Sequence, residues 1–293
     1  MSVNGLVVVD KAAGWTSHDV VARCRGIFGQ RRVGHAGTLD PDATGVLLVG
    51  LGRVTRLLRF LTVLRKTYTT DIVLGTATST LDASGEVTAT FDMSRVRPSD
   101  VAAAATALTG EIEQVPPMVS AVKVQGRRLH ELAREGVEVE RKPRPVTVYR
   151  FETSPDPDPA RPVDARAVVE CSSGTYVRVL ADDLGRALGG GAHLDRLRRT
   201  RIGSFGEADL RPLEAIGPEA VLSPAEALRD LESVQVDDDV AASIRTGLAL
   251  DRVPLGAVGD GPWAMLDDGG ALLAVYEATG TDRIRPAVVL AGN

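Results

Sequence analysis

The stretch Gly34–Gly50, GHAGTLDPDATGVLLVG, constrains the fold of this 293-residue chain more than any other. It places one carboxylate, Asp40, among small and flexible residues directly before the apolar run Val46–Val49. Pro41 keeps Asp40 out of helical geometry, and the glycines on both sides let other groups approach closely. The segment therefore predicts a loop that leads into a buried strand. An Asp-Pro pair alone is more typical of an ordinary turn, so the pair by itself leaves the function open.

Apolar residues recur at helix or strand spacing on both sides of this loop. Thr16, followed by Asp19 three residues later, is typical of a helix start. Ser172-Ser173-Gly174-Thr175 precedes a predicted helix over residues 176–188. The other predicted elements are strands at Leu6–Val9, Val46–Val49, Lys66–Leu74, 146–153 and 163–171, and helices at Val54–Leu61, Asp100–Leu108 and Leu129–Glu135. This mixture is compatible with an α+β protein.

The pattern changes beyond about residue 230, where short strands and glycine turns replace the helices. Pro262–Leu266 and Leu272–Ala278 flank Asp267-Asp268-Gly269-Gly270, which predicts a hairpin. We therefore predict a main domain at residues 1–230 and a small β domain at 231–293. Within the main domain, residues 123–144 carry eleven charges and little core-forming pattern, which indicates a basic mobile arm.

The net charge of −5 conceals a strong separation of charge along the chain. Residues 207–293 contain sixteen acids and six arginines, whereas residues 1–206 contain 28 bases and 23 acids. Segregation of this kind fits a basic binding face joined to an acidic appendage. Basic helices are usually only solvated, so the charge pattern alone does not establish RNA binding.

The sequence shows no signal for membrane insertion or export. No apolar run approaches the roughly 18 to 20 residues that a membrane span needs. The two cysteines, Cys24 and Cys171, have neither CxxC spacing nor a nearby histidine, so we expect reduced core residues and no metal site. We therefore expect a cytoplasmic protein.

Several segments together resemble the TruB family of bacterial tRNA pseudouridine-55 synthases. The Asp40 loop is similar to the family's catalytic pattern GHxGTLDPxATGVL, and DKAAGWTS is similar to its KPxGxTS loop. RKTYTTDIVLG, CSSGTYVRVLADDLG and HLDRLRRTRIG match further family segments and contain Tyr68, Arg178 and Leu197. The resemblance spans residues 5–205. It implies the α+β pseudouridine synthase fold, a mixed, mostly antiparallel sheet with flanking helices and a central catalytic cleft, plus a C-terminal β-rich PUA-like domain.

The resemblance assigns the chemistry to Asp40, Arg178 and Tyr68. In the family the aspartate starts uridine isomerisation: the N1–C1′ bond breaks, the base turns and a C5–C1′ bond forms. The arginine pairs with the aspartate, and the tyrosine stacks on the target base. Independently, a cation in the first turn of a helix opposes the helix dipole by roughly 0.3 to 1 kcal/mol, which is expected where an anion is held. Taken singly, Arg178 also fits a surface arginine, and Tyr68 also fits a core tyrosine.

A second group of residues is predicted to contact RNA. The resemblance implies that His35 takes the place of a flipped nucleotide, although a histidine beside a carboxylate also suggests a general base. It implies that Leu197 packs beside the target base, and that Lys11 supports the site or contacts the RNA backbone. Taken singly, Lys11 fits a surface lysine equally well. The candidates for phosphate contacts are Arg31, Arg32, Arg53, Arg56, Lys123, Arg127, Arg141, Lys142, Arg198 and Arg199. If they act together, RNA binding should weaken steeply with salt.

The isomerisation oxidises nothing and loses no atom, so we expect no cofactor and no catalytic metal. The sequence agrees, since it lacks both a GxxxxGK[ST] phosphate loop and a GxGxxG motif after a strand. The expected substrate is the T arm of tRNA. We expect a monomer with no membrane association and no obligatory protein partner.

Three other functions remain open from the sequence. The chain could refold tRNA as a chaperone, alone or alongside the isomerase activity. It could be a hydrolase that uses Asp40 with Asp42 or Asp182, although Asp40 and Asp42 lie too close along one turn to face a bond from opposite sides. It could also be a guide-RNA-dependent synthase of the same superfamily, which would need protein and RNA partners.

Overall fold

The computed structural model describes residues 2–120, 123–124, 126–129, 132, 135–137, 139–156 and 164–290, with only the backbone at Lys123, Val124 and Arg128. Its strands are β1 Gly5–Lys11, β2 Val33–Ala36, β3 Thr44–Leu51, β4 Lys66–Leu74, β5 Thr76–Thr78, β6 Val87–Thr90, β7 Gly110–Gln114, β8 Lys123–Val124, β9 Arg127–Arg128, β10 Arg144–Pro155, β11 Ala165–Cys171, β12 Ala192–Ile202, β13 Arg211–Pro212, β14 Glu232–Gln235, β15 Leu250–Asp251, β16 Trp263–Leu266, β17 Leu272–Thr279 and β18 Arg283–Val289. Its α-helices are α1 Ser17–Phe28, α2 Leu58–Thr62, α3 Pro98–Ala107, α4 Val177–Ala187 and α5 Asp238–Arg245.

The chain divides into two compact units. The first contains Met1–Pro41, Gly45–Val63 and Gly203–Asn293, and the second contains Asp42–Thr44 and Leu64–Ile202. Within these units β1 with β13 and β14 with β16 are parallel, and the other strand pairs described are antiparallel. This agrees with the mixed, mostly antiparallel architecture expected from the sequence. The predicted domain boundary at residue 230 stays a prediction.

The first unit is built on strand β3, which pairs with β1 on one side and β2 on the other. The predicted strands at Leu6–Val9 and Val46–Val49 are confirmed as the centres of β1 and β3. Helix α1 begins as predicted, because the Thr16 hydroxyl accepts the Asp19 N–H and the Asp19 carboxylate accepts the Thr16 N–H. The buried face of α1 completes an apolar cluster with these strands. That packing fixes the two segments on either side of the Asp40 loop.

The prediction of a single α-helix over Val54–Leu61 is wrong in the type of helix. The structure has a 3₁₀ turn at Gly52–Arg56, and α2 starts only at Leu58. Of the predicted apolar face, Val54, Leu57 and Leu61 are nevertheless buried, and Leu58 is half-buried. The tighter turn forms because the Leu57 N–H bonds to Val54 O and the Thr55 hydroxyl bonds to Gly52 O, at 2.8 Å each. Apolar spacing predicts which side faces the core but does not separate the two windings.

A second sheet in the first unit contains β14, β16, β17, β18 and β15 in that order. The predicted hairpin is confirmed as β16 and β17. Its core includes the fully buried Trp263 and Tyr276 together with Ile244 from α5. Helix α5 was not predicted, although it has an ordinary start signal: the Asp237 side chain accepts the Val240 N–H. The short helix was missed because β-type signals surround it.

Three arginines at three-residue intervals contact this C-terminal sheet within the first unit. The guanidinium of Arg53 donates to Leu290 O at 2.9 Å, and that of Arg56 donates to Val289 O at 2.7 Å. Arg59 forms an exposed ion pair with Glu277 at 3.0 Å. The 3₁₀ turn places side chains three residues apart on one face, which is why Arg53 and Arg56 contact neighbouring carbonyls. Arg53 and Arg56, predicted as phosphate contacts, therefore also hold protein carbonyls.

The second unit contains the strand order β12-β4-β11-β10-β7. Strand β4 has the predicted bounds, Lys66–Leu74, and the predicted inward residues Tyr68, Thr70, Ile72 and Leu74 are all buried. The helices predicted at 100–108 and 176–188 are confirmed as α3 and α4, each within two residues. Strand β4 lies between β11 and β12, so its backbone pairs with a neighbouring strand on both sides.

Helix α4 packs very closely on β12 through Gly185. A Cβ atom at this glycine would lie 2.3 Å from Ala192 N and 2.5 Å from the carbonyl carbon of Gly191. No side chain larger than hydrogen fits there without a backbone shift. This contact fixes the depth at which α4, and hence its first turn, lies on the sheet.

The predicted arm at 123–144 is described only in part. Strands β8 and β9 form a short antiparallel pair, and the predicted helix at Leu129–Glu135 includes residues that lie outside the described part of the chain. The arm's mobility stays a prediction. In the part of the chain that the structure describes, no helix is long and apolar enough to cross a membrane.

Replacing Gly185 by alanine should destabilise the protein, because the added methyl group overlaps the backbone of β12. We expect the free energy of unfolding to fall by about 1–3 kcal/mol. Urea denaturation followed by circular dichroism measures this change.

Gly26 provides the matched control, since it also lies within a helix but has no atom within 4 Å of its added Cβ. Gly26→Ala should raise the free energy of unfolding by about 0.5–1 kcal/mol through helix propensity. Equal effects of the two substitutions would contradict the close packing of α4 on β12.

Candidate active site

Asp40 lies in the loop between β2 and β3, and its side chain is half-buried. The residue before it is anchored to α1: the Leu39 N–H donates to Ser17 Oγ at 2.9 Å, and Ser17 Oγ donates to Leu39 O at 3.3 Å. Ser17 and Leu39 are both buried. The backbone on the N-terminal side of Asp40 is therefore held by a pair of hydrogen bonds that water does not reach.

The residue after Asp40 is anchored by Lys11, which has no solvent-exposed surface. The Lys11 ammonium donates to Pro41 O at 2.8 Å, to Trp15 O at 2.7 Å and to Ala12 O at 3.0 Å. The Gly14 N–H also donates to Pro41 O, at 3.0 Å. This burial argues against the predicted contact of Lys11 with the RNA backbone. It favours the alternative, in which Lys11 supports the loop.

His35 lies on β2 opposite Val49 of β3 and is half-buried. Its ring meets the ring of His18 edge to face, with 5.4 Å between the centroids. His18 is exposed on α1. Two imidazoles therefore lie side by side in the first unit, and only His35 was singled out from the sequence. His18 was missed because no spacing rule relates a helix residue to a strand 17 positions further on.

Arg178 lies in the first turn of α4, as predicted, and it is 4% exposed. Its guanidinium donates to Thr80 O at 3.0 Å and to Val119 O at 2.9 Å. It also forms an ion pair with Asp82 at 3.5 Å. The alternative of a surface arginine is therefore wrong. Two separate segments of the second unit, the turn at Thr80–Asp82 and the segment at Val119, orient this cation.

Asp82 is a site residue that the sequence reasoning missed. Its Oδ1 accepts hydrogen bonds from the Thr80 hydroxyl at 2.6 Å, the Ser84 hydroxyl at 2.6 Å and the Ser84 N–H at 3.1 Å. Its Oδ2 faces Arg178. The signal was present, because STLDASG has the hydroxyl and glycine composition of an Asx turn. Nothing in the sequence relates this turn to a helix that begins about 95 residues later.

Gln114, also missed, positions the start of α4. Its side-chain amide donates to Tyr176 O at 3.3 Å and accepts the Tyr176 N–H at 2.9 Å. Tyr176 is the residue before the helix, and its own side chain makes no capping bond. Gln114 is 2% exposed, so both bonds are shielded from water. The amide therefore fixes the backbone of the residue that lies two positions before Arg178.

Tyr68 lies at the centre of β4, between Val169 of β11 and Arg199 of β12, and is 7% exposed. Arg199 is 1% exposed, which argues against a surface phosphate contact by its guanidinium. Lys66 lies two residues before Tyr68 and is also buried. Burial, reinforced by the nearby Arg199, lowers the pKa of Lys66 to about 8. Two buried cations, Lys66 and Arg199, thus lie near Tyr68.

Leu197 lies at a bulge of β12. The register with β4 shifts between Asp195 and Arg198, and Arg196 has a left-handed backbone with φ of 48°. The Arg196 side chain forms an ion pair with Asp71 of β4, which holds the bulge. A bulge redirects side chains relative to the regular pleat. Leu197 and Arg198 are half-buried there, a placement that sequence alternation does not predict.

The two catalytic residues expected to pair belong to different units, Asp40 to the first and Arg178 to the second. Their pairing stays a prediction. The side chain of Lys123 lies outside the described residues. Asp182 is ion-paired with Arg186 at 2.9 Å. Across the described ranges, no group of three or more His, Cys, Asp or Glu residues could hold a metal ion.

Two family models match adjoining parts of the chain. Residues 25–177 match the model for "TruB family pseudouridylate synthase (N terminal domain)". Residues 178–234 match the model for "tRNA pseudouridylate synthase B C-terminal domain". The first match includes Asp40 and Tyr68, and the second begins at Arg178.

Curated relatives are similar over nearly the whole chain. The tRNA pseudouridine synthase B of Nocardia farcinica is 50% identical over 291 residues, covering 98% of this chain and 94% of that protein. The enzyme of the same name from Rhodococcus jostii is 51% identical over 280 residues, covering 94% of this chain and 90% of that protein. Among solved structures, a chain of a Cbf5-Nop10-Gar1 complex is 28% identical with a TM-score of 0.74, covering 97% of this chain and 83% of that one.

Removing the Lys11 ammonium should destabilise the protein. Lys11→Met leaves the carbonyls of Ala12, Trp15 and Pro41 without their buried donor, so we expect the free energy of unfolding to fall by roughly 2–4 kcal/mol. Urea denaturation measures the change. Lys142→Met, at an exposed position, is the control and should stay within about 0.5 kcal/mol of wild type. A loss of equal size in both variants would contradict the role given to Lys11.

The buried Lys66 should make stability depend on pH. Below pH 8 it is protonated in both the folded and unfolded states, so its burial penalty is fully present. Between pH 8 and 10.5 only the unfolded state keeps the proton, so the penalty declines as pH rises. Lys66→Met should therefore be more stable relative to wild type at pH 7 than at pH 10, by on the order of 3 kcal/mol. A pH-independent difference would contradict the lowered pKa.

Proposed function

This chain belongs to the TruB family of pseudouridylate synthases, and we propose that it isomerises uridine 55 in the T loop of tRNA to pseudouridine. The proposal is carried by the Asp40 loop. It lies within the matched segment and is held by buried hydrogen bonds on both sides of the aspartate. The relatives named tRNA pseudouridine synthase B indicate the substrate. The predicted fold class, the pseudouridine synthase fold, is confirmed by the Cbf5 similarity.

The proposed reaction conserves every atom of the substrate. The N1–C1′ bond breaks, the detached uracil turns, and a C5–C1′ bond forms. The proton on C5 is then removed, and N1 gains one, so no electron acceptor is needed. The sequence starts in one of two ways: the Asp40 carboxylate attacks the sugar, or it removes a sugar proton. Both require an ionised carboxylate in a fixed position, which the anchored loop supports.

The remaining residues assist Asp40 or position the base in this proposal. Arg178 pairs with Asp40 and favours its ionised form. Tyr68 stacks on the flipped uracil, a contact worth about 1–3 kcal/mol, and takes part in deprotonation at C5. Leu197 packs beside the same base, and the bulge in β12 supports this by redirecting its side chain. His35 takes the place of the flipped nucleotide.

The protein acts on the T arm without an obligatory protein partner in this proposal, as a monomer in the cytoplasm. The solved relative was found with Nop10 and Gar1, which makes a partner-dependent synthase the second candidate. The greater identity to tRNA pseudouridine synthase B, 50% against 28%, favours independent action. A chaperone function would coexist with either activity, because tRNA binding and refolding do not require the Asp40 carboxylate.

The test is pseudouridine formation on an unmodified tRNA transcript by the isolated protein, detected by carbodiimide labelling and primer extension. Wild type should produce a stop at position 55. Asp40→Asn keeps the size of the side chain but removes the reactive carboxylate, so the rate should fall by at least about 10³-fold. Asp42→Asn is the matched control, because Asp42 is exposed in the same loop, and it should keep near-normal activity.

Each other outcome identifies a different function. Tight tRNA binding by wild type without modification would reject independent action and favour the partner-dependent synthase or the chaperone. Equal activity of wild type and Asp40→Asn would reject the catalytic assignment. Release of free uracil, with activity lost in Asp42→Asn as well, would favour a hydrolase.

A further inference from the structure

A cationic pocket lies in the first unit, at the end of β2 that is opposite to the Asp40 loop. It has a volume of about 570 Å³. Its lining consists of Ser2, Asn4, Gln30, Arg31, Arg32, Gly52 and Arg53. Three of these residues are arginines and the other four are uncharged. Among these described lining residues there is no aspartate or glutamate to balance the positive charge.

The walls of the pocket are joined by hydrogen bonds among three chain segments. The Gln30 side chain accepts the Val3 N–H at 2.9 Å and donates to Val3 O at 3.1 Å. The Asn4 side chain accepts the Arg53 N–H at 2.7 Å. The Gly52 N–H donates to Arg32 O at 2.8 Å. The segments that carry the arginines are therefore held in fixed positions before any ligand arrives.

Gly52 allows the N-terminal segment at Val3 and Asn4 to pack directly against its backbone. Its φ is 59°, and a Cβ atom there would lie 2.3 Å from Asn4 Oδ1 and 2.5 Å from Val3 O. A residue other than glycine would be strained and would also push the N-terminal segment outward. The pocket is thus built into the backbone and does not depend on surface side chains alone.

Two of the guanidinium groups are also oriented by the protein. Arg32 Nε donates to Thr55 Oγ1 at 3.0 Å, and Thr55 Oγ1 donates to Gly52 O at 2.8 Å. Arg53 donates to Leu290 O at 2.9 Å. Each guanidinium has five N–H donors in a rigid plane, so these contacts fix the orientation of the whole group. Orientation of this kind lowers the entropy that a bound anion must remove.

Three arginines placed together repel one another unless an anion compensates them. The planar guanidinium fork matches the oxygen geometry of phosphate, and arginine is the residue type favoured for this contact. The described lining has no aromatic or large apolar wall on which a free nucleotide base could stack. The pocket therefore fits a phosphate group that is attached to a polymer bound elsewhere on the protein.

We propose that Arg31, Arg32 and Arg53 hold a backbone phosphate of the RNA substrate, remote from the nucleotide that reacts. This inference rests on the proposed function for the identity of the RNA. Strand β2 ends at residue 36, directly before the Asp40 loop. Four residues of extended chain, about 13 Å, separate residue 32 from residue 36, so the phosphate lies well away from that loop. The contact contributes affinity and orientation and takes no part in the bond rearrangement.

The test uses Arg31→Gln and Arg32→Gln in the full-length protein, with Arg245→Gln as a control of equal charge change. Arg245 is exposed at the end of α5 and does not line the pocket. The Kd for a tRNA transcript is measured by filter binding at several salt concentrations. Each pocket variant should raise the Kd by about 3- to 10-fold and lower the slope of log K against log salt by about 0.9 or less. The control should change neither.

Single-turnover pseudouridine formation at saturating enzyme separates binding from chemistry. The pocket variants should keep the wild-type rate constant once all tRNA is bound. Unchanged Kd and salt slope in both pocket variants would overturn the proposal. A second result would also overturn the proposal: inorganic phosphate stabilises wild type, both pocket variants lose this stabilisation, and their affinity for tRNA stays unchanged. The pocket would then hold a free anion.

Failure of this inference is distinguishable from failure of the proposed function. If wild type modifies tRNA but the pocket variants bind it normally, only the phosphate site is wrong. If wild type binds tRNA without modifying it and the pocket variants bind less tightly, the phosphate site stands and the synthase assignment fails. Circular dichroism melts of all four proteins check that each variant is folded.

Discussion

The buried ammonium of Lys11 is the interaction on which the candidate catalytic loop most depends. A cation removed from water is very costly unless its donors are satisfied, and three carbonyl oxygens match the three N–H groups of this ammonium. One of those carbonyls belongs to Pro41, so the cation holds the backbone directly after Asp40. Ser17 holds the backbone directly before it. The reactive side chain itself remains half-buried while its two neighbours are fixed.

The same arrangement recurs in the second unit, where buried polar groups position the functional side chains. Gln114 holds the backbone of Tyr176, the residue before α4, and Asp82 faces the Arg178 guanidinium that this helix carries. Asp71 holds the bulge beside Leu197 through Arg196. Gln114 and Asp71 are shielded from water, where an unmet hydrogen bond costs more than at the surface. The candidate catalytic side chains therefore depend for their positions on residues outside the predicted catalytic set.

The sequence was most informative where one local rule decides the structure. Thr16 and Asp19 predicted the start of α1, and alternation predicted both the bounds and the buried face of β4. It failed where two local solutions bury the same side chains, as in the 3₁₀ turn that replaces a regular helix before Leu58. It also failed for α5, a two-turn helix among strands. In these cases long-range packing, which no window of sequence contains, chose between alternatives of similar energy.

The sequence by itself determined the loop that carries Asp40, the strand after it and the family to which the chain belongs. Proline restricts the backbone locally, glycine permits the close approaches that a loop needs, and the motif is specific. Only the tertiary structure decided that Lys11 is a buried support, that Arg178 is enclosed, and that Gln114 and Asp82 belong to the candidate site. It also gathered Arg31, Arg32 and Arg53 into one pocket. The physical reason is that hydrogen bonds and charge pairs act through space, between residues that here lie from about 20 to nearly 100 positions apart.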